Sequence, residues 1–416
     1  MKKFFPIIIL TLISAFLIFY RFTDIPKNLA FDEVEFTKLA LSLDNKPYIP
    51  YSQLATGHST FYFYILLASL KTFGINTFAL RFPAAIFGVL SIVIFYLILS
   101  FIYKKNKILN TYYLILTTLI LLTSHWFLNF SRFSFEATFL LFLELVSIHF
   151  LISKKNLFFS GLFAGFAFLS YTPGRIFFIL PLSFLVFKLV NSLTRKQFDN
   201  KIIKQLLYFL IPFIIITTPL TSYLLTNKDT RVDQQFFLKN NEMTINQKIF
   251  GLWQNISSTA LMFNVKGDVN GRHNYPNKPA LNPILGILFI TGLFLTIKQS
   301  NNEINRLFLL YFFLSIFPAL MTYPWENPNM LRTFTVLPSV VYFIGNASYY
   351  LGTIVPRLSH NKKIPKYLIL TIFYLIFFFS SFYELRTYFK YQSIVFNQAF
   401  DIKLPLDKAI KAKGRP

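Results

Sequence analysis

The stretch ALRFPAAIFGVLSIVIFYLILSFI, residues 79–102, contains a single charged side chain, that of Arg81. An α-helix of this length rises about 36 Å, which is enough to cross the roughly 30 Å hydrocarbon core of a bilayer. Further apolar runs of similar character predict an all-α polytopic membrane protein with about 11 transmembrane helices. The other runs lie at 4–20, 108–127, 136–152, 157–171, 176–191, 205–225, 281–297, 306–323, 333–354 and 366–382.

The overall composition supports the membrane class. Of the 416 residues 54% are hydrophobic and only 14% are charged, whereas soluble domains carry about 25% charged residues. The net charge of +24 comes from short basic tracts between the apolar runs, so membrane topology explains it better than nucleic-acid binding. The absence of cysteine excludes disulfides, thiolate metal sites and a cysteine nucleophile.

The basic tracts predict the orientation of the chain. Alternate threading from a cytoplasmic N-terminus places the tracts near 104–107, 154–155, 195–204, 298–306 and 357–366 on the cytoplasmic side, as the positive-inside rule requires. Most acidic residues then face outside, where we expect any carboxylate chemistry. The segment 58–73 would invert this order if it crossed the membrane, so we interpret it as an interfacial or re-entrant helix.

This threading predicts a transmembrane domain over 1–382 and an outer tail over 383–416. The domain carries two long outer loops, at about 23–78 and about 226–280. Loops of this length are usually functional or separately structured. The tail alternates aromatic and charged residues, which is compatible with a small folded appendage or with part of one.

Asp32 lies at the predicted start of a short amphipathic helix in the first outer loop. A helix N-terminus stabilises a carboxylate, and at the membrane surface such a group is suited to act as a general base on a lipid-anchored substrate. The alternative is that Asp32 only caps the helix while Glu33 and Glu35 are solvated.

Several short motifs follow one another along the chain. They are Phe31-Asp32-Glu33, Gly57-His58-Ser59, Phe73-Gly74, Ala79-Leu80-Arg81-Phe82-Pro83, Ser131-Arg132-Phe133-Ser134-Phe135-Glu136, Gly161-Leu162-Phe163-Ala164-Gly165, Tyr171-Thr172-Pro173-Gly174-Arg175, Lys266-Gly267-Asp268, Arg272-His273-Asn274 and Asn327 to Arg332. In this order they resemble the C-type membrane glycosyltransferases, specifically the group of the dolichyl-phosphate-mannose protein mannosyltransferases and aminoarabinose transferases.

The resemblance implies transfer of a sugar from a polyprenyl-phosphate donor to a hydroxyl of a glycan, lipid or protein acceptor, with inversion, on the outer face of a plasma (inner) membrane. It assigns Asp32 as the catalytic base, with Glu33 and Glu136 as supporting acids. Glu136 stands where many relatives carry Asp, and Ser59 stands where many carry Pro.

Basic residues at the predicted outer face are candidates for binding the donor phosphate, because guanidinium groups grip phosphate oxygens bidentately. The candidates are His58, Arg81, Arg132, Arg175, Arg272, His273 and Arg332. For Arg81, Arg132 and Arg175 the alternative is snorkelling at the ends of spans. Glu144, inside a span, is either functional or a neutral structural acid.

No cofactor is demanded by the sequence. The five histidines lack metal-ligand spacing, although a divalent ion held by Asp32, Glu33 and His58 remains an alternative. A lipid-linked glycan flippase or transporter, a polysaccharide polymerase or ligase and an inactive relative are alternative functions. Flippases and transporters usually show internal repeats, and none is evident here.

Overall fold

A computed structural model describes residues 5–103, 109–153, 156–194, 200–358 and 366–412. The basic tracts at 104–107 and 154–155 lie outside these residues, as do 195–199 of the third tract and 359–365 of the last. In chain order the first half contains α1 (Phe5–Phe19), α2 (Phe31–Ser42), β1 (Tyr51–Ser52), β2 (His58–Ser59), α3 (Phe61–Phe73), α4 (Thr77–Ile102), α5 (Leu109–Thr123), α6 (His125–Phe130), α7 (Ala137–Ser153), α8 (Leu157–Ser170) and α9 (Ile179–Thr194).

The described part of the second half contains further helices. These are α10 (Asn200–Thr226), α11 (Thr230–Gln235), α12 (Ile245–Met262), α13 (Pro283–Lys298), α14 (Glu303–Leu320), α15 (Leu337–Leu358), α16 (Lys366–Arg386), α17 (Ser393–Ala399) and α18 (Leu406–Ala409). The strands β1 and β2 form one small antiparallel hairpin in which Ser52 pairs with His58. The chain is therefore mostly helical, as predicted.

Four helical segments of the described chain are long and apolar enough to cross a bilayer, and six shorter apolar helices accompany them. The four are Thr77–Ile102, Thr172–Thr194, Asn200–Thr226 and Glu303–Leu320. The membrane class is confirmed, while the number of about 11 spans stays a prediction. One predicted run, 108–127, is interrupted, because α5 ends at Thr123 and α6 begins at His125.

Glycine allows two pairs of helices to approach closely. A Cβ atom at Gly161 of α8 would lie 2.0 Å from the carbonyl oxygen of Phe209 in α10. A Cβ atom at Gly292 of α13 would lie 1.8 Å from the carbonyl oxygen of Phe343 in α15. Small residues at such contacts are typical of packing between membrane helices, because the backbones meet directly.

The boundary predicted at 382/383 is not a break in the structure. Helix α16 continues to Arg386, and a π-helical segment, Thr387–Gln392, leads into α17. Phe396 and Phe400 are buried in the main hydrophobic core, and Ile402 exchanges two backbone hydrogen bonds with Leu29, at 3.0 and 3.1 Å. The tail up to 412 packs against the segment between α1 and α2 because its aromatic residues fill that core.

Candidate active site

A polar cavity of about 420 Å³ lies where several loops and helix ends meet. Its lining comes from the start of α2, the β1–β2 hairpin, α11, the loop before α13 and the segment between α14 and α15. The charged and histidine side chains around it are those of Asp32, His58, Arg231, Asp268, Arg272, His273, Glu326 and Arg332. The structure thus brings together residues that are up to 300 positions apart in the sequence.

Asp32 occupies the second position of α2, where the positive end of the helix dipole stabilises its negative charge. Its side chain remains 37% exposed and forms an ion pair with the guanidinium of Arg272, which is 28% exposed. Because both groups line the cavity, a carboxylate and a cation face the same space. The predicted base and one predicted phosphate ligand are therefore neighbours.

Glu33 points away from the cavity into the protein. Its carboxylate accepts hydrogen bonds from Nε and Nη2 of Arg81 at 2.8 and 2.9 Å, and from the backbone N–H of Ala30 at 3.1 Å. Arg81 also donates to the carbonyl oxygens of Pro26 and Asn28. Both side chains are fully buried, so this pair fixes the loop before α2 and does not reach the cavity.

His58 and Glu136 form a buried pair beside the cavity. His58 Nδ1 lies 2.5 Å from a carboxylate oxygen of Glu136, and His58 Nε2 lies 2.6 Å from Nη1 of Arg231. Burial and the charge of Arg231 lower the pKa of His58, although Glu136 acts in the opposite direction. His58 Nε2 also lies 2.9 Å from the carbonyl oxygen of Ala55, so Glu136, Arg231 and Ala55 together fix the orientation of the imidazole.

Asp268 orients His273. A carboxylate oxygen of Asp268 lies 2.9 Å from His273 Nδ1 and accepts a hydrogen bond from the backbone N–H of Met330 at 2.8 Å. Asn129 donates to the carbonyl oxygens of Arg272 and His273 at 2.7 and 2.8 Å. These contacts fix the loop that carries Arg272 at the edge of the cavity.

A second cavity of about 230 Å³ adjoins the first and is mainly apolar. The two cavities share Tyr171, Gln235, Arg231 and Arg332 in their walls. The apolar cavity continues along Phe317, Pro318 and Met321 at the end of α14. Cationic side chains thus stand at the junction between a polar space and an apolar one.

Arg175 and Arg332 are both held by carboxylates near this junction. Arg175 pairs with Asp229 and donates to the hydroxyl of Ser59 at 3.2 Å, while Arg332 pairs with Glu326. Burial raises the pKa of Asp229, but the charge of Arg175 outweighs this effect and holds the pKa below its ordinary value. Both arginines line the apolar cavity, and Arg332 also lines the polar one.

Arg132 lies away from both cavities. Its guanidinium donates to the carbonyl oxygens of Leu17, Ile18 and Tyr20 at 3.0, 2.5 and 2.8 Å. These carbonyl groups have no partner within α1 because they belong to its last turn and the residue after it. Arg132 therefore provides hydrogen-bond donors for the free carbonyl groups at the C-terminal end of α1, and its side chain is fully buried.

Two further predictions concern an intramembrane acid and a metal ion. Glu144 is buried and accepts a hydrogen bond from the hydroxyl of Tyr311 at 2.7 Å, away from the polar cavity. Within the described part of the chain, no three His, Asp or Glu side chains gather closely enough to hold a metal ion. Glu33, which the alternative metal site requires, is instead paired with Arg81.

Arg231 did not emerge from the sequence, and Asp268 appeared there only as part of a motif. Arg231 follows α10 in a polar stretch without periodicity, so its sequence context carries no signal for a site. The segment 268–273 is equally irregular in sequence, yet the side chains of Asp268 and His273 are hydrogen-bonded to each other in the structure. Only the fold brings Arg231 to His58.

The chain is similar in sequence and in fold to known proteins. Residues 57–222 match the family model of dolichyl-phosphate-mannose-protein mannosyltransferases, which confirms the resemblance stated above. ArnT from Cupriavidus metallidurans, solved with undecaprenyl phosphate, superposes with a TM-score of 0.55 at 11% identity, over 94% of this chain and 76% of its own. The chain and this ArnT therefore share a fold.

A second solved protein shares this fold. The archaeal oligosaccharyltransferase AglB from Archaeoglobus fulgidus, in complex with an inhibitory peptide and a dolichol-phosphate, superposes with a TM-score of 0.53 at 14% identity. The match covers 96% of this chain but 56% of AglB, so the chain spans little more than half of that protein. No curated protein sequence matches the chain. The family match thus covers residues 57–222, and the two solved structures share the fold of the chain.

Proposed function

We propose that the chain transfers a sugar from a polyprenyl-phosphate donor to an acceptor hydroxyl, with Asp32 as the general base. The observation that carries this proposal is the junction of the two cavities. Sugar and acceptor fit the polar cavity, the polyprenyl chain fits the apolar one, and Arg231 and Arg332 line both. ArnT and AglB, which have the same fold, were solved with polyprenyl or dolichol phosphates.

The reaction follows from this arrangement. The acceptor oxygen attacks the anomeric carbon, and the bond between that carbon and the phosphate oxygen breaks on the opposite face, so the configuration inverts. The proton of the acceptor hydroxyl passes to the carboxylate of Asp32. Arg231, Arg272 and Arg332 stabilise the negative charge that grows on the departing polyprenyl phosphate.

The other predicted site residues receive different roles within this proposal. Glu33 and Arg81 hold the start of α2 and thereby position Asp32, and Arg132 holds the end of α1. Glu136 orients His58 towards Arg231. We further propose that the cavity faces the outer side of a plasma membrane and that the N-terminus is cytoplasmic, since the predicted threading puts most acidic residues on the outer side and all five basic tracts on the cytoplasmic side.

The decisive experiment measures release of labelled sugar. Purified wild-type protein and Asp32→Asn are incubated with radiolabelled polyprenyl-phosphate sugars and a membrane extract as the acceptor source. We expect transfer by the wild type and a loss of about 10²–10⁴-fold in the variant, the usual contribution of a general base. Asp24→Asn is the matched control, because Asp24 is exposed and pairs only weakly with Arg21, at 3.7 Å.

The alternatives give different results in this assay. Full transfer by Asp32→Asn removes Asp32 from the mechanism. Stable binding of every donor by the wild type without release of sugar favours a flippase or an inactive relative. Transfer of a whole glycan chain identifies a polymerase or ligase.

A further inference from the structure

A second apolar cleft, distinct from the catalytic cavity, lies between α9 and α14. It has a volume of about 350 Å³, and its walls are formed by Leu180, Phe184 and Phe187 of α9 and by Leu307, Leu310 and Phe313 of α14. Phe187 and Phe313 are exposed at 39% and 56%, so the cleft opens sideways between the two helices. In a membrane protein such an opening faces lipid chains.

The cleft ends at three charged side chains, Lys188, Glu303 and Arg306. The guanidinium of Arg306 stands 3.6 Å from the centre of the Phe187 ring, and the ammonium of Lys188 stands 4.0 Å from the centre of the Phe184 ring. Lys188 also lies 3.8 Å from the carboxylate of Glu303. The aromatic walls therefore hold two cations at the mouth of an apolar space.

This mouth lies at the end of the bundle opposite to the catalytic cavity. The catalytic side is marked by Met321 and Thr322, where α14 ends, whereas Arg306 lies in the first turn of α14. The 15 residues from Arg306 to Met321 correspond to about 22 Å along the helix, most of a bilayer core. The two sites thus face opposite leaflets.

The same end of the bundle is basic in the part of the chain that the structure describes. Helix α10 begins there with Lys201 and Lys204, and α13 ends there with Lys298, five residues before α14 begins at Glu303. An apolar cleft between membrane helices with basic side chains at its mouth is complementary to an anionic phospholipid. The phosphate of the lipid would lie at the level of the basic side chains, and its acyl chain at the level of the apolar walls.

We propose that this cleft binds one anionic phospholipid. Arg306 and Lys188 contact the headgroup phosphate, one acyl chain fills the cleft between α9 and α14, and Glu303 accepts a hydrogen bond from a headgroup hydroxyl, as in a glycerol headgroup. The proposal requires only that the chain spans a membrane, and it stands independently of the sugar-transfer reaction.

Native mass spectrometry of the full chain in detergent tests the proposal, with an equimolar mixture of dioleoylphosphatidylglycerol and dioleoylphosphatidylcholine as the probe. We expect the wild type to retain mainly the anionic lipid. In the double variant Lys188→Gln/Arg306→Gln the preference should fall about twentyfold, because each basic residue near a membrane surface contributes roughly fivefold. The double variant Lys204→Gln/Lys298→Gln is the control, since it loses the same charge at the same end but outside the cleft.

A third variant, Leu310→Trp, fills the cleft while the cations remain. We expect it to retain less of both lipids and to elute as the wild type does in size-exclusion chromatography. Equal retention of the two lipids by the wild type overturns the proposal, and so does an equal loss in the Lys204/Lys298 control, which would indicate a diffuse surface charge. Because sugar transfer is not measured, these outcomes are separate from those for Asp32.

Discussion

At the scale of single residues, the ion pair between Asp32 and Arg272 is central to the proposed chemistry. The guanidinium of Arg272 pairs with the carboxylate of Asp32, and both groups line the polar cavity. An acceptor hydroxyl that binds to the carboxylate of Asp32 has to displace the guanidinium of Arg272 from one of its oxygens. Arg272 is then available to the phosphate, so one side chain serves both the base and the leaving group.

We therefore expect Arg272→Gln to lower kcat/KM for the donor about 10–100-fold, because hydrogen bonds to charged groups contribute about 1.5–3 kcal/mol. Steady-state transfer with a labelled donor measures the effect. Arg21→Gln provides the control, since Arg21 belongs to an exposed Arg–Asp pair at 3.7 Å. Unchanged kinetics in Arg272→Gln would exclude Arg272 from the reaction.

The buried His58 provides a prediction about pH. Its pKa lies below the ordinary value of 6.5 because of burial and Arg231, and Glu136 partly offsets this shift. We expect Glu136→Gln to lower the pKa of His58 further and Arg231→Gln to raise it. NMR titration of ¹³C-labelled histidine measures both directions, and a wild-type His58 that titrates at or above 6.5 would contradict the lowered pKa.

At the scale of secondary-structure elements, close helix packing depends on individual glycines. In Gly161→Ala the new methyl group would meet the backbone of Phe209 in α10, and backbone cannot move aside as a side chain can. We expect a loss of about 1–3 kcal/mol from overpacking, measured as a lower thermal unfolding midpoint in detergent. Gly251→Ala should cost less, because its nearest neighbours are side-chain atoms 3.1 Å away, and equal midpoints for both variants would contradict the packing described here.

The elements also explain how far sequence reasoning reaches. Long apolar runs predict helices reliably because crossing a membrane constrains both length and composition. The start of α2 at Phe31 likewise agrees with its predicted position next to Asp32. The partners of Arg81 and Arg132 were not predictable, because both satisfy backbone carbonyls of loops and helix ends that only the folded chain brings near.

The sequence also predicts only part of the polar cavity. Asp32, His58 and Arg272 were candidates from the sequence, and the structure places all three around one cavity. Arg231 was not a candidate, since the short polar sequence of α11 has no pattern that distinguishes a ligand from a solvated side chain. Such residues become visible only when a buried partner, here His58, lies at hydrogen-bond distance.

At the scale of the whole molecule, the tail joins the catalytic half of the chain. Phe400 is fully buried, its ring lies 5.5 Å from that of Phe133 and 5.2 Å from that of Phe396, and Arg81 stands 5.8 Å from its centre. Two residues later, Ile402 pairs with Leu29 just before α2. The tail thus supports the segment that leads into α2 and Asp32.

We therefore expect Phe400→Ala to reduce both stability and sugar transfer. Removal of a buried phenyl ring costs about 3–5 kcal/mol, and here the resulting cavity would border the Glu33–Arg81 pair that positions Asp32. The thermal unfolding midpoint and kcat should both fall, whereas Ile394→Ala, which changes a side chain that is 65% exposed, should leave both unchanged. If the tail were instead an independent appendage, Phe400→Ala would unfold the tail alone and leave kcat at the wild-type value, so the two measurements together distinguish support of the active site from mere attachment to it.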